Sequence, residues 1–430
     1  MDLLIRGGRV IDPAGGIDDL MDVLIADDRI SRLGKNLAER APGTRIIQAS
    51  GMVVAPGLID LHAHLREPGF EHKETLQTGL EAAVVGGFTS VACMPNTDPV
   101  NDNPAITHYL ISRARQVGKA RLFPIGAITQ GLGGGRLAEI GEQREAGTVA
   151  ISDDGRPVMN SEVMRRALEY AGMFGMPVIS HCEDLNLSGG GVMHEGWVST
   201  ELGLKGVPTA AEEVMVSRDL ALAELTGSRL HIAHVSCAGS VHLIRQAKEK
   251  GIRVTSEVTP HHFTLTDEAV RGFDPNTKVN PPLRSAEDVR AIEEGLKDGT
   301  IEVIATDHAP HDLAEKDLEY TQAAFGMVGL ETALGLALDR LYHRGILSLP
   351  QLLAKLTLNP ARALNLDAGK MTVGAKADVV ILDPERRWRV DGNAFRSKGR
   401  NSPFHGWQLR GMAMMTIVDG QIVMDQGLGI

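Results

Sequence analysis

Between residues 58 and 307 the chain carries eight short apolar runs, and no other feature limits its fold as tightly. They are LIDLH from 58, FTSVACM from 88, RLFPIGA from 121, TVAIS from 148, PVISH from 177, RLHIAHV from 229, IRVTSEV from 252 and IEVIATD from 301. Runs this apolar read as strands buried on both faces. Between them lie stretches of helical periodicity, such as ETLQTGLEAAVVGG, SEVMRRALEYAG and AAEEVMVSRDLALAELTG. Eight buried parallel strands with intervening helices predict an α/β fold, a (β/α)8 TIM-like barrel; a doubly wound open sheet is the competing arrangement.

The two chain ends have a different texture. LLIRGGRVID, DVLIADDRISRLG and TRIIQASGMVV near the start alternate like half-buried strands, and ADVVILDPERRWRV and MAMMTIVDGQIVMDQG near the end repeat the pattern. With 430 residues, 43% of them hydrophobic, the chain exceeds the usual size of a single domain. The expected division is a small composite β-sandwich domain from residues 1–53 plus 372–430, flanking a metal-dependent barrel over 54–371.

A net charge of −11 argues against nucleic acid or an acidic membrane as partner. The three cysteines, Cys93, Cys182 and Cys237, are too few and too scattered for a disulfide framework, which fits a reducing cytoplasm. MDLLIRGGRVIDP reads as neither a signal peptide nor a membrane helix.

Barrel enzymes place their chemistry at the C-terminal ends of the strands. Here the first run ends in His62-Ala-His64, the fourth is followed by Asp153-Asp154, the fifth ends in His181, the sixth carries His234, and the eighth leads into Asp307-His308. A lone histidine at a strand end is usually a satisfied polar group, and His231, His242 and His343 read that way. Four histidines and at least two aspartates from five strand ends on one rim point instead to a metal site. Residues i and i+2 share a face of a strand, so His62 and His64 can reach one ion. Imidazole and carboxylate without thiolate suit Zn2+ or a similar divalent cation. Such a cation activates water and polarises a carbonyl, and a neighbouring carboxylate, Asp307, can move the proton. A plain ligand or a helix cap is the blander reading of Asp307.

The segments APGLIDLHAHLREPG, MPNTDP, SHCED, VNPPLR and ATDHAPH, with NPAR near 360 and the closing GAKADVVILDP, together resemble dihydroorotases of the long, class I bacterial type, within the amidohydrolase superfamily. The HxH pair alone marks only the superfamily; the joint set with HLREPG and MPN is specific, and it spans essentially the whole chain. The resemblance implies reversible cyclisation of N-carbamoyl-L-aspartate to L-dihydroorotate in pyrimidine biosynthesis, at a centre of one or two Zn2+ ions. It implies His62 and His64 on one metal, His181 and His234 at the second position, Asp154 as the bridging carboxylate, and Asp307 as ligand and general base and acid. It also implies substrate contacts from Arg66, Asn96, Asn280, His311, Phe325 and Gly326. Many superfamily relatives bridge their metals with a carboxylated lysine, and GTVAISDDG has none. Asp153 is then expected in a turn or behind the site. Cys182 is expected as packing rather than a ligand, His194 as no ligand, and His261 and His262 either as packing, the favoured reading, or as groups that orient the metal site from behind.

Arg66 can grip a carboxylate with both arms of its guanidinium, and Asn96 adds an amide donor. The glycine of the Phe325-Gly326 step permits close backbone approach to a ligand. Two other functions compete. One is a hydantoinase- or allantoinase-type cyclic amidohydrolase; the absent bridging lysine and the HLREPG arginine point away from it. The other is a non-catalytic scaffold of aspartate transcarbamoylase, in which metal ligands would be lost. A complex with that transcarbamoylase and a homo-oligomeric state are expectations about partners that no residue pattern carries.

Overall fold

The computed structural model describes residues 2–37 and 43–428. All eight expected barrel runs are strands: β6 (Leu58–Ala63), β7 (Phe88–Cys93), β8 (Arg121–Gly126), β9 (Ala150–Ser152), β10 (Val178–Ser180), β13 (Leu230–Ile232), β14 (Val254–Val258) and β15 (Val303–Ile304). They pair in chain order, each parallel to the next. A bridge between Ala63 and His308, with the His64 amide donating to the His308 carbonyl at 2.8 Å, brings the last strand's exit against the first. The fold is therefore a nearly closed (β/α)8 barrel, as the run count predicts. Helices cover it with apolar faces: in the helix Ser161–Met173, Met164, Ala167, Leu168 and Ala171 are buried, and Asn160 caps its first amides.

Both chain ends join one mixed sheet. Strands β1 (Leu3–Asp12), β2 (Ile17–Ala26), β3 (Arg29–Gly34), β4 (Arg45–Gln48) and β5 (Val53–Pro56) come from the start. Strands β16 (Val379–Arg389), β17 (Gln408–Val418) and β18 (Gln421–Asp425) come from the end. The order is β18-β17-β16-β5-β1-β2-β3, with β4 also on β1. The union happens where β5 and β16 pair antiparallel, Val54 opposite Ile381. Strand alternation then divides the side chains between two cores. Val54, Val379 and Ile381 pack within the sheet's own core with Ile5, Val23 and Ile417, while Val53, Val380 and Leu382 join the barrel's helix layer. A short pair, β11 (Met193–His194) and β12 (Gly206–Val207), orders the loop after β10.

Residues 390–407, between β16 and β17, leave the sheet for the barrel mouth. Val390, Phe395 and Phe404 pack there with Leu265, Leu283 and Met327. No helix among the described residues is long and apolar enough to cross a membrane.

Candidate metal centre and substrate cradle

At the mouth, Asp154 stands between two groups of histidines. Its Oδ2 lies 3.5 Å from His62 Nε2 and 3.4 Å from His64 Nε2. Its Oδ1 lies 3.5 Å from both His181 Nδ1 and His234 Nε2. Asp307 Oδ1 closes the first group, 3.0 Å from His64 Nε2 and 3.5 Å from His62 Nε2. Ligand atoms of His62, His64 and Asp154, and again of Asp154, His181 and His234, lie within 4.8 Å of one another. All are buried. Asp153 turns the other way: Oδ1 accepts from the amides of Ile128 at 2.8 Å and Thr129 at 3.0 Å, and Oδ2 from the Thr129 hydroxyl.

Each of three histidines is held by its outer nitrogen. His62 Nδ1 lies 2.6 Å from Glu257 Oε1, His64 Nδ1 lies 2.9 Å from Asn96 Oδ1, and His181 Nε2 lies 3.0 Å from Glu183 Oε2. An oxygen acceptor there fixes the proton on the outer nitrogen and leaves a lone pair facing inwards, the arrangement that orients metal-binding imidazoles. A divalent cation fits these residues on independent grounds. His62 Nε2 and Asp154 Oδ1 are fully buried with no hydrogen-bond partner among the described residues. His181 Nδ1 and His234 Nε2 also face each other at 2.8 Å, a contact that is favourable only while one of the two carries a proton or a cation sits between them. The protein's own charges show the same demand for positive charge. Burial works against charging His181, yet Asp154 and Glu183 push it up to about 10. Asp154 is held well below the usual carboxylate range, despite burial, by His62, His181 and His234. Asp307 is likewise held low by His62, His64 and His234.

Glu257 and Glu183 carry this orientation and were not singled out in the sequence. Glu257 is the last residue but one of strand β14, VTSEV, and is fully buried there, as a carboxylate with a task would be. It also meets His231 Nε2 at 3.2 Å and accepts from the His234 amide at 3.3 Å. Burial opposes its charge, but His62 and His231 hold it at about 2. Cys182 faces Ser180 at 3.5 Å and Asp219 at 3.8 Å, not the histidines. His308 pairs with Glu74 at 3.2 Å. His194 meets Arg284. His262 is satisfied by Thr259 at 2.7 Å and the Pro281 carbonyl at 3.0 Å.

The expected substrate residues fall into two places. Asn280 donates to Glu183 at 2.8 Å, on the His181 side. Arg66 and His311 lie together, Nη2 to Nε2 3.4 Å, and Arg66 Nε donates to the Pro310 carbonyl at 3.2 Å. Gly326, at φ +128°, packs beside them. A Cβ there would meet Ala309 Cβ at 2.8 Å and His311 Nε2 at 3.3 Å, so only glycine fits. Phe325 is 39% exposed at the same step. Burial and the neighbouring Arg66 push His311 down to about 4.

This cradle is held by residues the sequence did not flag. Asn401, buried in the 390–407 excursion, donates to the carbonyls of Ala309 at 2.9 Å and Gly326 at 3.1 Å and accepts from the His311 amide at 3.2 Å. Lys316 Nζ donates to the carbonyls of Ala324 at 2.8 Å and Gly326 at 3.0 Å. Lys278 Nζ donates to Thr321 at 3.0 Å and sits 4.5 Å from the Phe325 ring centre.

Residues 51–240 match the model of the dihydro-orotase-like family, and 208–424 that of the amidohydrolase family. A dihydroorotase from Pelotomaculum thermopropionicum is 61% identical over 99% of both chains. Another from Geobacter metallireducens is 57% identical over 98% of this chain and 99% of its own. The chain belongs to the dihydroorotase family. Among solved structures, an L-hydantoinase from Arthrobacter aurescens superposes with a TM-score of 0.89 at 26% identity, over 99% of this chain and 96% of its own. A dihydropyrimidinase from Brevibacillus agri superposes with 0.84 at 24%, over 99% and 95%, which speaks for the fold alone. The chain is thus a cyclic amidohydrolase of a metal-dependent superfamily.

Proposed function

We propose that this enzyme interconverts N-carbamoyl-L-aspartate and L-dihydroorotate in pyrimidine biosynthesis, as a zinc enzyme of the class I bacterial type. The observation that carries the reading is Asp154, whose two oxygens face two separate histidine pairs. His62, His64 and Asp307 would hold one zinc and His181 and His234 a second, with Asp154 between. Bound there, zinc would lower the pKa of a water and polarise the ring carbonyl. Asp307, kept ionised by His62 and His64, takes the proton of the attacking water and returns it to the departing ring nitrogen. Cyclisation runs the same transfer backwards. Arg66 and His311 receive the substrate carboxylate, Asn96 offers Nδ2 while its Oδ1 braces His64, and Asn280, Phe325 and Gly326 border the ring.

The division into residues 1–53 plus 372–430 and 54–371 is part of this reading; the 390–407 excursion then serves the barrel from the smaller unit. A homo-oligomer, a cytoplasmic location and an association with aspartate transcarbamoylase are proposed on family grounds. All three cysteines are buried and free. The structural neighbours keep a hydantoinase reading in play, so the test is a side-by-side assay. Enzyme purified without chelator should turn over dihydroorotate in preference to hydantoin and allantoin, and carry one or two zinc ions per chain. Turnover of hydantoin but not dihydroorotate sinks the substrate assignment. Loss of all turnover with metal absent from His62 and His64 would favour the scaffold reading.

A further inference from the structure

His261 is a buried imidazole with one ring nitrogen left unpartnered among the described residues. It follows strand β14 on the catalytic rim, and its Nε2 is enclosed with no hydrogen-bond partner among the described residues. The contrast with other rim histidines is sharp. His231 and His308 have both ring nitrogens partnered, and so does His262, whose ring lies 4.5 Å from that of His261. His261 stands three residues past the C-terminal end of β14, on the rim that carries the ligand groups, and Asp307, His234 and His62 are among the charges that act on it. The other orphaned atoms at this centre, His62 Nε2 and Asp154 Oδ1, belong to the clustered ligand groups; His261 is in neither. An enclosed polar atom is unfavourable unless something that binds supplies its partner.

We propose that His261 is a substrate-contacting residue that hydrogen-bonds the ureide portion of the substrate, the part that becomes the ring. A carboxylate calls for cations, which Arg66 provides. A neutral imidazole suits a ureide, which offers both N–H and C=O, so either tautomer finds a partner. The inference rests on the dihydroorotase reading.

The test uses the metal-loaded full chain with His261→Phe, which keeps the volume, and His261→Gln, which keeps a polar group at similar reach. KM for N-carbamoyl-L-aspartate, metal per chain and the inhibition constant of succinate, a dicarboxylate without a ureide, are measured together. In the Phe variant KM should rise about tenfold or more. Metal content and succinate inhibition should stay unchanged, and Gln should recover most of the loss. A KM within twofold of the parent in both variants overturns the proposal. So does a succinate constant that rises in step with KM, or a loss of metal. A parent enzyme that binds metal but ignores both dihydroorotate and N-carbamoyl-L-aspartate overturns the function on which it rests.

Discussion

The metal rim and the substrate cradle share one barrel mouth but are built on opposite plans. The rim projects side chains from strand β6 and from the exits of β6, β9, β10, β13 and β15, and leaves inward atoms unsatisfied. Its acids, Glu257 and Glu183, lie behind the histidines and aim them. The cradle is loop backbone, fixed by donors from elsewhere: Lys316 and Lys278 from loops of the barrel and Asn401 from the far end of the chain. A cation site needs free lone pairs held rigidly, whereas a cradle needs its carbonyls occupied so that the loop keeps one shape. Damage to the rim should therefore appear in turnover and metal content, and damage to the cradle in KM.

The largest expected effect is on the rim. Asp307→Asn keeps the side-chain shape but cannot accept a proton, so kcat should fall by about 10³-fold, as for loss of a general base. Far-ultraviolet dichroism should match the parent, because its neighbours are already buried and placed. Near-normal turnover would remove Asp307 from proton transfer. Next comes Glu257→Gln, which removes the charge shared by His62 and His231. Metal affinity or activity should drop by about 10- to 100-fold. Dialysis against a graded chelator, with metal counted per chain, reads this; unchanged retention and turnover would leave Glu257 a mere core carboxylate.

The same contrast explains what the sequence made legible. The eight runs and the rim ligands follow strand rules: buried parallel strands are uniformly apolar, and their C-terminal ends are the places to look. His62 and His64 are readable because a strand repeats every two residues. Asp153 and Asp154 are less so, because β9 ends at Ser152 and strand alternation no longer applies beyond it. The amides of residues 128 and 129 take Asp153 away from the site, and they come from another βα loop. Asn401 leaves no local signal at all. It lies 75 residues beyond Gly326, and the excursion carrying it connects two strands that pair up to its ends, with Trp388 opposite Leu409. Lysine at 316 reads as surface charge in a polar segment; only the tertiary fold buries it.

Asn401→Ala sharpens the comparison from the cradle side. It deletes three hydrogen bonds that tie His311 and Gly326 into one frame, so KM should rise about tenfold while kcat moves less than about threefold. Metal content should be that of the parent, because the Asn401 side chain bonds the backbone of Ala309, His311 and Gly326 rather than the metal-binding side chains. A fall in kcat with metal loss and unchanged KM would mean that rim and cradle are one cooperative unit.

The smallest effect concerns Lys316 and pH. Burial and the neighbouring Lys278 push its ammonium down to about 7, against an ordinary value of 10.5. Between those values the unfolded chain holds a proton that the folded chain has released. Stability rises with pH wherever the unfolded state binds more protons, so this group adds stability as pH climbs through about 7 towards 10.5 and contributes almost no slope below about 6. Lys316→Met removes the titration. The difference in urea midpoint between parent and variant should therefore shift in the parent's favour from about pH 7 to about pH 9 and stay nearly flat from about pH 5 to about pH 6. A difference that is flat throughout would show that the carbonyls of Ala324 and Gly326 keep Lys316 charged, making the cradle's clamp a permanent cation rather than one that yields near neutrality.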